Sequence, residues 1–91
     1  MRWTIKLSNK TSRAIEKLDG VARKKIVKFI VETLPTLDNP RQIGKALQGT
    51  DLGSYWRYRV GDYRLVCEII DNEITILIVE VGHRSKIYKS H

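Results

Sequence analysis

The chain has a single cysteine, Cys67, so no disulfide can form within it. Set in the apolar run "RLVCEII", that thiol reads as a small, buried, reduced hydrophobe, which suits a cytoplasmic protein. Histidine is scarce, with one of two at the terminus, and the acidic residues show no paired ligand spacing, so no metal site is expected. Gly44, Gly49 and Gly53 match no phosphate-loop spacing, so no nucleotide cofactor is expected. No window reaches the ~20 apolar residues of a membrane span, and Met1-Arg2 leads into the strand-like "RWTIKLS", not an apolar signal segment. Internal repeats and low-complexity tracts are absent. Acid is in short supply too: 10 Asp and Glu stand against 17 Lys and Arg, a net charge of +7. A small basic chain of this kind points to polyanions: nucleic acid, an anionic membrane or an acidic protein partner.

Within 91 residues, 42 % of them hydrophobic, there is room for one domain (1–91) with a modest core. In "WTIKLS", Trp3, Ile5 and Leu7 alternate with polar residues as in a strand. Ser8 is placed to cap a following helix striped by Ala14, Ile15 and Leu18, with Gly20 as its stop. A second helix from about Val21 aligns Ala22, Ile26, Phe29, Ile30, Thr33 and Leu34, leaves Arg23, Lys24, Lys25 and Lys28 on the other face, and ends at Pro35. Asn39-Pro40 suggests at most one further helical turn. Gly61-Asp62 and Asp71-Asn72 read as two-residue turns between alternating runs, giving a three-strand meander from about Ser54. The expected fold is α+β: a small antiparallel sheet, formed by the N-terminal strand and the C-terminal meander, packed against a helical hairpin.

The stretch "SYWRYRVGDYRLV" carries the functional signal. With Gly61-Asp62 as the loop, Val60 opposes Tyr63 and Arg59 opposes Arg64. Alternation then puts Tyr55, Arg57, Arg59, Arg64, Val66 and Glu68 on one face. Trp56, Tyr58, Tyr63, Leu65, Cys67 and Ile69 point to the other, under the helices. The second turn is expected to put Val79 beside Arg64 and to project His83 on the same side. Either the three arginines are solvated, with Glu68 as a partial partner, or they form an anion site whose ligand supplies the missing charge. Arginine suits phosphate because its planar fork binds bidentately and stays charged. Tyr55 could stack on a base. With no metal pattern or phosphate loop, phosphate chemistry would run on cationic side chains. RNA suits such a site because its 2′-hydroxyl is an internal nucleophile that needs only a base, cations and an acid.

"LPTLDNPRQIGKALQG", "WRYRVGDYRLVCEI" and "VGHRSKIY" together resemble the RelE/ParE toxin superfamily, RelE branch, over nearly the whole chain. That resemblance implies a ribosome-dependent, metal-free endoribonuclease that cuts mRNA in the decoding site and is neutralised by a cognate antitoxin. It carries Arg57 onto a basic strand site, Arg64 onto the arginine that stabilises the scissile phosphate, Arg84 onto the arginine after the last strand, and Tyr88 onto a substrate-orienting aromatic. Where the archetype has a lysine, its candidate general base, this chain has Tyr55. The proton acceptor expected here is therefore His83, then Tyr55. Arg59 and Lys86 are expected to contact RNA, and Lys24, Lys25 and Lys28 to contact ribosomal RNA. The competing readings are a ParE-like gyrase poison, which shares the fold without the nuclease chemistry, and a non-catalytic RNA- or ribosome-binding module.

Overall fold

The structure is a computed structural model and describes residues 2–47 and 54–83. Strand β1 (Thr4–Leu7) leads into helices α1 (Asn9–Glu16) and α2 (Gly20–Lys28). The second helix continues as a π-helical turn (Phe29–Thr33) and a 3-10 turn (Leu34–Thr36), so Pro35 sits just inside the last turn. A two-residue strand, β2 (Lys45–Ala46), is followed by β3 (Tyr55–Val60), β4 (Tyr63–Ile70) and β5 (Thr75–His83). The five strands form one sheet in the order β1-β5-β4-β3-β2, which makes β4 the central strand.

The meander is antiparallel as expected, but β1 runs parallel to β5, so the sheet is mixed. The direction is fixed where β1 ends. Ser8 caps α1 by accepting from the Thr11 amide, and the buried Thr11 hydroxyl donates to the Ile78 carbonyl at 3.0 Å. That hydrogen bond ties the Leu7 end of β1 to the Ile78 position of β5, and Leu7 and Ile78 are register partners. Gly20 does not stop α1: Asp19 accepts from the Ala22 amide and caps α2, with Gly20 as its first residue.

The apolar stripes of the helices meet one face of the sheet. Ile15, Ile26, Ile30 and Leu34 pack with Tyr58, Leu65, Cys67, Ile76, Ile78 and Val81, each buried Ile, Leu or Val side chain stabilising by about 1.5–3 kcal/mol. Cys67 is fully buried, and desolvation pushes its thiol pKa far up, in keeping with a structural role.

Asn39-Pro40 begins a single turn, closed by the Gln42 amide donating to the Asn39 carbonyl at 3.0 Å, and no longer helix. The Asn39 side chain accepts from the Arg41 amide, and the chain crosses the β3 edge as an irregular strap. Three contacts hold it. The buried Tyr58 hydroxyl donates to the Pro40 carbonyl at 2.6 Å, and the Trp56 indole donates to the Ile43 carbonyl at 2.7 Å. Arg41 lies 6.0 Å from the Trp56 ring centre and grips both Asp71 carboxylate oxygens at 2.9 Å, hydrogen bonds that hold this carboxyl below its usual pKa. Gly44 has φ +80°, where a Cβ would collide with the Arg57 carbonyl and stand 2.8 Å from the Trp56 indole nitrogen. Glycine therefore lets the strap drop into the ladder, where Lys45 pairs with Arg57.

Two substitutions check the strap. Tyr58→Phe leaves the Pro40 carbonyl without its donor and is expected to cost about 1–2 kcal/mol, read as a lower urea midpoint at unchanged slope. Gly44→Ala is expected to cost about 1–3 kcal/mol in the same measurement, through positive φ and the collision. Wild-type stability in Gly44→Ala would show that the close approach is not needed.

Candidate functional site

The Gly61-Asp62 turn, with Gly61 at φ +61°, sets Val60 opposite Tyr63 and Arg59 opposite Arg64. Arg57 and Arg59 from β3, Arg64 from β4 and Lys45 from β2 come together on the sheet face away from the helices. With Gly44 they line a cavity of about 300 Å³. The three arginines differ in exposure. Arg59 is exposed and Arg57 half-buried, whereas Arg64, flanked by β3 and β5 on the central strand, is only 9 % exposed. The face is thus less open than alternation alone suggests. Burial of Arg64 also lowers the local dielectric and strengthens its pull on an entering anion.

Opposed arginines cost the hairpin a few tenths of a kcal/mol, up to ~1. An anion in the cavity would remove that cost and gain charge-assisted hydrogen bonds. Tyr55, half-buried, shares the face two residues before Arg57 but does not line the cavity. Glu68 opposes Tyr55, and Glu80 on β5 pairs with Val66.

His83 does not join the arginines. The loop after β4 has four residues, 71 to 74, with Ile74 at φ +49°. Two additional loop residues preserve the facing. A β-bulge opposite Val66/Cys67 then adds one residue on β5 and reverses it. His83 consequently pairs with Tyr63 on the helix side, its ring edge-on at 5.6 Å and 83°. The bulge has a physical cause. Strict alternation after Ile76 and Ile78 would drive Glu80 under the helices, where an unpaired carboxylate is costly. The extra residue brings Val81 inward instead and moves Glu80 to the arginine side.

His83 and Tyr63 line a separate cavity of about 340 Å³ with Lys25, Asp19 and Asp62. Its mixed charges do not favour a polyanion. Lys24, Lys25 and Lys28 are exposed on α2, in the helix layer. Arg84, Lys86 and Tyr88 lie outside the described residues. Lys45 is the site residue that sequence reasoning missed. Its one signal is Gly44, a glycine of the kind that marks close backbone approach beside a strand. Among the described residues no group of three His, Cys, Asp or Glu side chains could hold a metal ion, and no helix is long and apolar enough to cross a membrane.

A family model described as "ParE toxin of type II toxin-antitoxin system, parDE" matches residues 5–88. Toxin RelG of Mycobacterium tuberculosis is 30 % identical over 89 residues, covering 98 % of this chain and 99 % of that protein. The mRNA interferase toxin RelE of Escherichia coli K12 is 27 % identical over 90 residues, 97 % of this chain and 92 % of the relative. Among solved structures, the RelBE2 toxin-antitoxin complex of M. tuberculosis matches with a TM-score of 0.78 and 28 % identity, over 93 % of this chain and 94 % of the other. The RelB-RelE complex of Methanococcus jannaschii matches with a TM-score of 0.73 and 26 % identity, over 94 % and 98 %. The chain therefore belongs to the ParE/RelE superfamily of type II toxins and is RelE-like within it.

Proposed function

We propose that this protein is a metal-independent endoribonuclease that cuts mRNA in the ribosomal decoding site, acts in the cytoplasm as a single domain, and is neutralised by a cognate antitoxin. The observation that carries the reading is the convergence of Arg57, Arg59, Arg64 and Lys45 on one small cavity. A relative named mRNA interferase and relatives solved as toxin-antitoxin complexes support it.

In this mechanism the RNA 2′-hydroxyl attacks the adjacent phosphodiester, so the protein supplies neither nucleophile nor metal. Arg64 faces the phosphate and stabilises the charge that develops on its non-bridging oxygens; Arg57 and Arg59 hold the flanking backbone. Tyr55 stacks on a neighbouring base. Arg84 and Tyr88 complete the grip on the scissile nucleotides, and Lys86 adds a backbone contact. Lys24, Lys25 and Lys28, in the helix layer, contact ribosomal RNA while the sheet face holds the message. His83 is not assigned a proton-transfer role, because its ring packs on Tyr63 on the other side of the sheet.

Because the matching family model is named for ParE, gyrase poisoning is the second reading. Induced expression separates the two. Mapping of mRNA 5′ ends is expected to show cuts within translated codons as protein synthesis stops. Intact mRNA with DNA damage would establish the gyrase reading instead. Arg64→Ala is expected to slow cleavage by about 10²–10³-fold, the range for removing a group that stabilises transition-state charge, while the variant still folds and binds antitoxin. Undiminished cleavage would remove Arg64 from the mechanism.

A further inference from the structure

Three guanidiniums can hold a phosphate and stabilise charge, but none can take a proton under working conditions. Transfer from the 2′-hydroxyl needs an acceptor within reach of the phosphate they hold. The titratable and charged groups on this face, besides Lys45, are Tyr55, Arg57 and Arg59 on β3, Arg64 and Glu68 on β4, Glu80 on β5, and Lys6 on β1, which pairs with Leu77 at the opposite edge of the sheet and does not line the cavity. Tyr55 and Glu68 oppose each other at the far end of the hairpin, and Glu80 sits beside Val66. Of the described residues lining the cavity, Lys45 alone carries a group that can exchange a proton.

We propose that Lys45 is the proton acceptor of the cleavage reaction, an inference that rests on the endoribonuclease reading. Lysine is the one cation of the four that proteins use in its neutral form as a base. Its delivery is also built. Gly44 lets the backbone close on Arg57, Trp56 and Tyr58 hold the preceding carbonyls, and pairing with Arg57 turns Lys45 to the arginine side. Lys45 itself is exposed, so little of the fold depends on its side chain.

The step balances as follows. The neutral Lys45 amine takes the 2′-hydroxyl proton as O2′ forms a bond to phosphorus. The P–O5′ bond breaks with its electron pair on O5′, which takes a proton from water. The products are a 2′,3′-cyclic phosphate and a 5′-hydroxyl end, and the Lys45 ammonium returns its proton to solvent.

The test uses the full-length toxin on ribosomes programmed with mRNA. Lys45→Arg keeps the charge but cannot accept a proton. It is expected to bind an mRNA blocked by 2′-O-methylation at the cut site like wild type, yet to cleave about 10²–10⁴-fold more slowly. The increase of the wild-type rate with pH should disappear in this variant. Lys45→Ala should regain cleavage when ethylamine is added, in proportion to the unprotonated amine and not to total amine, which restoring a cation alone would not explain. Cleavage by Lys45→Arg at the wild-type rate with the wild-type pH profile would overturn the assignment. A wild-type toxin that leaves ribosomal mRNA intact would instead overturn the endoribonuclease reading, and this inference with it.

Discussion

The register of the β3–β4 hairpin is the constraint on which the rest depends. One two-residue turn, held open by Gly61 at positive φ, decides for both strands which residues meet the helices and which face away. A slip of one residue would turn one of the two strands over relative to the other. With β3 turned, Tyr58 would lose its burial and Arg57 and Arg59 would be driven under α1 and α2; with β4 turned, Leu65 and Cys67 would be exposed and Arg64 driven inward. Desolvating an uncompensated charge costs several kcal/mol for each ion, so the slipped register is excluded by a wide margin. The core and the cationic cavity are therefore two consequences of a single pairing choice.

That linkage explains how so small a chain supports so much positive charge in one place. Opposed arginines cost up to ~1 kcal/mol in the hairpin. Each large apolar side chain on the reverse face contributes about 1.5–3 kcal/mol. The electrostatic cost of the site is thus small beside the hydrophobic term that enforces the register. The position of Arg64 follows the same logic, because the central strand is where pairing is firmest and where a cation is least screened by water.

Much of this was legible in the sequence because it depends on short-range rules. The Gly61-Asp62 turn, the alternation through "WRYRV" and "YRLVCEI", the Ser8 cap and the Ile26-Ile30 stripe all declare themselves within a few residues. What escaped depends on relations between distant segments. Plain alternation sends His83 to the arginine side because a bulge has no fixed sequence mark, although Glu80 two steps beyond Ile78 is its hint. Asn39-Pro40 predicts at most one helical turn, and one hydrogen-bonded turn forms; that the Pro40 carbonyl is then taken by the buried Tyr58 hydroxyl is a contact between distant segments. Lys45 escapes for the same reason: Gly44 beside it marks a close backbone approach, but which strand it approaches depends on the strap.

The strap also makes the two faces of the sheet interdependent. β2 is two residues long and lies at the sheet edge, too short to hold its own place by ladder hydrogen bonds. Its position is set from the far side of β3, where the Trp56 indole and the Tyr58 hydroxyl grip the carbonyls of Ile43 and Pro40. Side chains that belong to the helix face thereby decide where an amine stands on the arginine face. Arg57 and Arg64 depend on the hairpin, which the core enforces directly. Lys45 depends on a few polar contacts, whose net worth is about 1 kcal/mol each. The cavity thus combines a rigid cationic floor with one wall of lower local stability, and that wall is the part a bound ligand or partner can most readily order or displace.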